Sequence, residues 1–168
     1  VFPYDNDNPG QHDVGPYWSM LIEAAKIHKD RLVVIANVNN GPGAPSNTWA
    51  VQKYTEAITK VRQAGGIVLG YVHLCYGLQH NTAECNGRTQ VDIEQDISNW
   101  HLKYNVDGYF FDEAPNTLDK LSWLQNIDQK TRTDVGENFD ILFQNADGSF
   151  ETNPNRKLYM VMHYGTMP

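Results

Sequence analysis

The sequence predicts an α/β protein with a parallel sheet, arranged as an incomplete (β/α)8 TIM-type barrel of about five βα units. Three observations carry this reading. Short β-branched apolar runs alternate with segments whose apolar positions repeat at helical spacing. The strand runs are almost continuously apolar, as in parallel strands buried on both faces. Polar and aromatic residues sit at every predicted strand end. In a barrel all strand ends open on one shared site, whereas a doubly wound sheet uses only its switch point. No Gly-rich dinucleotide fingerprint follows the first strand, which argues against one common doubly wound class. A barrel of ~250 residues spends ~31 residues per unit, so five units leave it open.

The elements follow in order. Val1–Tyr4 is a short apolar strand. Residues 17–29 repeat apolar positions at helical spacing, and Leu32-Val33-Val34-Ile35-Ala36 is a buried β-branched strand within 31–38. Asn39-Asn40-Gly41-Pro42-Gly43 reads as a turn, after which Ser46 or Asn47 can cap a helix over 48–63. Gly65-Gly66 ends that helix. Ile67–His73 is the third strand. A helix over 89–103 has Val91, Ile93, Ile97, Trp100 and Leu102 as its expected apolar stripe. Residues 106–112 form the fourth strand and 117–130 the next helix. The polar stretch 131–156 has room for a short strand or hairpin near Asp140–Phe143, and Lys157–Met162 is the fifth barrel strand.

Composition narrows the function. The chain is 40% hydrophobic and 20% charged, ordinary for a globular domain. A net charge of −7 argues against a nucleic-acid partner and an anionic membrane surface. No run of ~18 apolar residues is present to span a membrane. The chain opens on Val1 rather than Met, so a processed or trimmed start is expected. Aromatics at 11% suit a sugar-binding cleft and suit a plain core equally well.

Cys75 and Cys85 share one predicted loop. Ten residues of separation suit a local disulfide, worth ~2–3 kcal/mol by loop entropy, and the alternative is two unrelated thiols. A disulfide would imply a secreted or surface protein. The spacing matches no zinc ligand set, even with His73 and His80 nearby. Asp5-Asn6-Asp7-Asn8 lacks the Glu that ends a calcium loop, and no Gly-x-Ser-x-Gly elbow marks a serine hydrolase. No metal and no cofactor is expected.

Phe110-Phe111-Asp112-Glu113-Ala114-Pro115 is the most informative segment. Two carboxylates end a buried strand, where ligands bind in parallel α/β folds. Strand alternation puts Asp112 on the face of Gly108 and Phe110, and Glu113 on that of Tyr109 and Phe111. Asp112 is therefore the first candidate, and Glu113 joins it if the strand ends there, as Pro115 permits. The structural alternative is a cap or an ion pair.

Four segments then resemble the spherulin-4 family. They are Asn37-Val38-Asn39-Asn40-Gly41-Pro42-Gly43, Gly70-Tyr71-Val72-His73 with Tyr76-Gly77, Asp107-Gly108-Tyr109-Phe110-Phe111-Asp112-Glu113-Ala114-Pro115, and Tyr164-Gly165-Thr166-Met167-Pro168. All four stand in the family's order. The resemblance implies a (β/α)8 barrel, a secreted or cell-surface location, and glycoside hydrolase activity like that of the related family 135 enzymes. Fungal relatives cut a galactosamine-containing polysaccharide. His163-Tyr164 stands where the family usually has Asn-Pro. The family pattern continues through roughly three further strands, so residues 1–168 are expected to be the first two-thirds of the domain. A partner carboxylate is then expected beyond residue 168.

Glycoside hydrolysis usually needs one protonated and one ionised carboxyl. Partial burial and a neighbouring carboxylate are expected to raise the pKa at Asp112 or Glu113 toward that of an acid. Tyr4, Asp5, Asn37, Asn39, Tyr71, His73 and Tyr76 are the candidate sugar contacts at the other strand ends. Amides offer a donor and an acceptor to hydroxyls, and rings offer a face to the sugar. Turn chemistry for Asn39, barrel filling for Tyr71 and a structural role for His73 are the bland alternatives. His12, His28, His80 and His101 are expected to be solvated. The sequence thus predicts a hydrolase of an amino-sugar polysaccharide. Its rival is a non-catalytic surface protein that binds polysaccharide or forms an assembly covering the open edge after residue 157, a homo-oligomer included.

Overall fold

A computed structural model describes residues 15–78, 83, 85–133, 142–144, 150–152 and 158–164. The expected strand at Val1–Tyr4, with Tyr4, Asp5, His12 and the Asp5–Asn8 segment, lies outside the described residues, as do His80 and Gly165–Pro168.

Helix α1 (Pro16–His28) begins with a proline, whose missing N–H costs nothing in the first turn. It leads through a short 3₁₀ turn to strand β1 (Val33–Ala36). Helix α2 (Thr48–Gln63) starts where Asn47 accepts a hydrogen bond from the Ala50 amide at 3.2 Å. Strand β2 (Ile67–His73) follows, then the single turn α3 (Cys75–Leu78), which carries left-handed backbone at Tyr76 and Gly77. Thr89 and Asp92 form a capping box on helix α4 (Gln90–Asn99). The helix widens into a π turn over Trp100–Tyr104 before strand β3 (Gly108–Asp112). Helix α5 (Leu121–Thr131) precedes a hairpin of β4 (Leu142–Gln144) and β5 (Phe150–Thr152), and strand β6 (Tyr159–Met162) completes the order.

The main sheet runs β1-β2-β3-β6, and every pairing is parallel. The sheet is open. It supports the parallel α/β class, while closure into a barrel is not seen among the described residues.

Register assigns each face. Val34, Ala36, Val68, Val72, Tyr109 and Phe111 enter one core with Trp18, Tyr54, Ile58, Ile93, Ile97, Trp100 and Ile127 from the helices. A Cβ at Gly70 would lie 2.5 Å from the Trp100 ring, so the indole seats directly on the strand backbone. Its Nε1 donates to the Tyr71 carbonyl at 2.7 Å. The opposite face has Val33 and Ile35 on β1, and Tyr159 and Val161 on β6, each 39–49% exposed. Between those edges, Ile67 and Leu69 of β2 lie on the same face and are buried, while the described helices pack on the face of Val34, Val68 and Phe111.

Helix α4 corrects one expectation. Ile93, Ile97 and Trp100 are buried, but Val91 and Leu102 are 70% and 74% exposed. The buried three follow the i, i+4, i+7 period, and the other two project from the opposite side.

Candidate functional site

The carboxyl ends of the parallel strands gather the polar residues. Asn37 follows β1, His73 ends β2, Asp112 ends β3 and His163 follows β6. The ladder sets this alignment, since His73 pairs with Asp112 and Phe111 with Met162. Beyond the strands, the Leu74 amide donates to the Asp112 carbonyl at 2.9 Å and the His163 amide to the Phe111 carbonyl at 2.8 Å. The Ala114 amide returns a bond to the His163 carbonyl at 3.0 Å.

Asp112 is the hub. Tyr71 donates its hydroxyl to Oδ2 at 2.7 Å. His163 Nδ1 lies 2.7 Å from Oδ1, and the Glu113 amide donates to the same oxygen at 2.9 Å. Partial burial pushes the Asp112 carboxyl pKa up, but the bonds from Tyr71, His163 and the Glu113 amide, with the His163 charge, outweigh it and leave it below the usual value. This corrects the expectation of a raised pKa. The lowered pKa favours the ionised form of Asp112.

Glu113 points elsewhere. The strand stops at Asp112, and Glu113 takes left-handed backbone with φ 52°. Such a conformation costs a non-glycine residue ~1–2 kcal/mol. It lets Glu113 Oε2 meet His73 Nε2 at 2.5 Å. Asn40 Nδ2 holds the other ring nitrogen of His73 at 2.8 Å. His73 is therefore a buried, doubly bonded bracket for Glu113, with its carbonyl accepting from Arg88 Nε at 3.1 Å. Arg88 in turn pairs with Asp96 at 2.5 Å.

The Cys75–Cys85 disulfide is present, with Cα atoms 5.8 Å apart. It closes the loop around α3, where Cys75, Tyr76 and Leu78 also have positive φ. Left-handed residues thus collect beside the two carboxylates, a placement typical of functional sites. His73 and the two sulfurs lie within 4.8 Å of one another, but sulfurs joined to each other are not thiolate ligands.

The other expected contacts separate. Tyr71 lies between His73 and Phe110, with ring centroids 6.4 and 6.3 Å away, and is bound to Asp112. Tyr76 is 5% exposed, and burial followed by the charges of Glu113 and Asp112 raises its pKa. Its amide donates to the Glu113 carbonyl at 2.8 Å, and its ring is too buried to be an open sugar platform. Asn37 uses Oδ1 to accept the Gly41 amide at 3.1 Å, which is turn chemistry at the mouth of the site. Asn39 is exposed on the same turn.

Sequence reasoning missed Asn40, Arg88 and the engagement of His163. Asn40 lay hidden in a stretch read as a turn, and Arg88 in a loop. His163 stood out only as a departure from a motif. His101 also differs from expectation. It is partly buried, and burial lowers its pKa to about 4.

The model of the spherulation-specific family 4 matches residues 3–164. Spherulin-4 of Physarum polycephalum is 30% identical over 114 residues, covering 67% of this chain and 30% of that protein. The match thus spans about a third of the relative's length. No solved structure matches the chain.

Proposed function

The chain belongs to the spherulation-specific family 4, and from that premise and the strand-end geometry we propose a glycoside hydrolase that cleaves an amino-sugar-containing, galactosaminogalactan-like polysaccharide by carboxylate catalysis. The observation that carries it is the Asp112 hub. Asp112 is ionised, aimed by three donors, and placed with Glu113 where parallel strands end. Asp112 serves as the ionised partner, stabilising positive charge that develops at the anomeric carbon or assisting attack there. Glu113 is its neighbour in the site. Phe110 and Tyr71, on the open face, offer ring surface to a sugar, and the Asn37–Asn40 turn offers amides.

In this reading residues 1–168 are the first two-thirds of a single (β/α)8 domain. The all-parallel order of the four-stranded sheet supports that arrangement. The disulfide supports a secreted or cell-surface location. No helix among the described residues is long and apolar enough to cross a membrane.

Release of reducing ends from a galactosamine-containing polymer by the complete protein, lost in Asp112→Asn, is the expected result. Release that persists in Asp112→Asn would remove Asp112 from the mechanism. A second reading, a polysaccharide-binding or assembly-forming surface protein, draws on the exposed apolar residues of β1 and β6. Binding of the polymer with no release of reducing ends by the complete protein would favour it.

A further inference from the structure

We infer that His163 is a positioning residue for Asp112, the donor that fixes which way the carboxylate faces. The inference rests on the reading of Asp112 as the working carboxylate. Three independent features hold His163 for this task. Its amide and carbonyl bond to Phe111 and Ala114 on either side of Asp112, so its backbone cannot drift away from the carboxylate without breaking the ladder. Its ring stacks on Phe110, with centroids 5.9 Å apart and planes 21° from parallel. Its Nδ1 then reaches Asp112 Oδ1 at 2.7 Å.

Chemistry fixes the proton. An ionised carboxylate only accepts, so Nδ1 carries the hydrogen and donates it. The arrangement matches the logic by which an aspartate and a histidine fix each other's orientation in hydrolytic sites. Here the carboxylate is less exposed than the ring, with side-chain exposures of 24% and 59%. The ring therefore forms the solvent side of the pair, and Tyr71 forms the inner side by bonding Oδ2. Between them they engage both oxygens of Asp112. The other titratable groups around the pair are Tyr71 and His73 on β2, Glu113 just after β3, Tyr76 on α3 and Tyr164 beyond β6.

The test compares the unaltered protein with His163→Ala and His163→Asn. An asparagine amide can place its Nδ2 close to where the imidazole Nδ1 stands, so it keeps the donor and loses the ring. The first readout is the titration midpoint of the Asp112 carboxyl, followed by carbon NMR. His163→Ala is expected to move the midpoint to higher pH, because the ionised form has lost a donor. His163→Asn is expected to bring it most of the way back. The second readout is polymer cleavage. His163→Ala is expected to lose about tenfold in kcat, with KM changed less and the acidic limb of the pH profile moved upward. An Asp112 midpoint unmoved in His163→Ala overturns the inference, whatever the activity. A moved midpoint in a protein that cleaves no polymer leaves the positioning role standing and removes the hydrolase reading.

Discussion

Strand β3 carries a carboxylate at each end, and the two have opposite fates. Asp107, just before the strand, is fully buried. It accepts from Arg62 Nε at 3.0 Å through one oxygen and from the Val68 amide at 2.9 Å through the other. Asp112, five residues on, is also bonded through both oxygens, but it keeps 24% of its side chain exposed. Both sit in one short motif and read alike in sequence. The sheet separates them. The amino end of a parallel strand meets the helix layer, where a charge survives only if it is paired. The carboxyl end opens on the site, where a charge can meet a ligand.

The largest effect should come from breaking the buried end. Asp107→Ala removes the carboxylate that pairs with the buried Arg62 guanidinium, and a loss of about 3–5 kcal/mol in denaturant-measured stability is expected. A loss under 1 kcal/mol would mean that Asp107 does not anchor the strand. The disulfide comes next. A paired Cys75→Ser and Cys85→Ser change should cost about 2–3 kcal/mol by loop entropy. It should also loosen the α3 turn that lies against the carboxylates. Unchanged stability would contradict the disulfide's role as a clamp on that turn.

A third effect is one of pH. His101 has a folded pKa of about 4 against an ordinary 6.5, lowered by burial. The unfolded chain therefore binds the proton first. Its contribution to stability is complete above the ordinary value and falls as pH drops from 6.5 toward 4. Asp112, held below the carboxyl range, contributes stability above its unfolded pKa and loses it as pH falls through the lower folded value. His101→Gln should flatten the first slope and Asp112→Asn the second, both read from thermal midpoints across pH. A His101→Gln chain with an unaltered slope would show that burial does not govern that histidine.

Much of this was legible in the sequence, for reasons that can be named. The runs Ile67–His73 and 48–63 match β2 and α2 because period and punctuation agree there, with Asn47 at one end of the helix and Gly65-Gly66 beyond the other. Alternation put Asp112 on the face of Phe110, and Phe110 does stack between Tyr71 and His163 there. The charge state of Asp112 was not legible. It depends on donors 41 and 51 residues away, and no local pattern reports them. The same holds for His73, whose two ring partners come from the Asn40 turn and from Glu113. His101 failed for a different reason. A helical position was readable, but its depth depends on what packs over the π turn. Of the barrel expectation, the described strands bear out the parallel sheet and not its closure.

The most direct test takes the two ends of β3 together, measuring cleavage of a galactosamine-containing polymer and unfolding midpoint on the complete protein with Asp112→Asn or Asp107→Asn. The account predicts that Asp112→Asn loses at least about a hundredfold in cleavage while its unfolding midpoint falls far less than that of Asp107→Asn. It predicts that Asp107→Asn loses stability first, and activity only as far as it unfolds. Cleavage retained in Asp112→Asn, or lost only in step with unfolding, would contradict the claim that the carboxyl end of this strand is the working end.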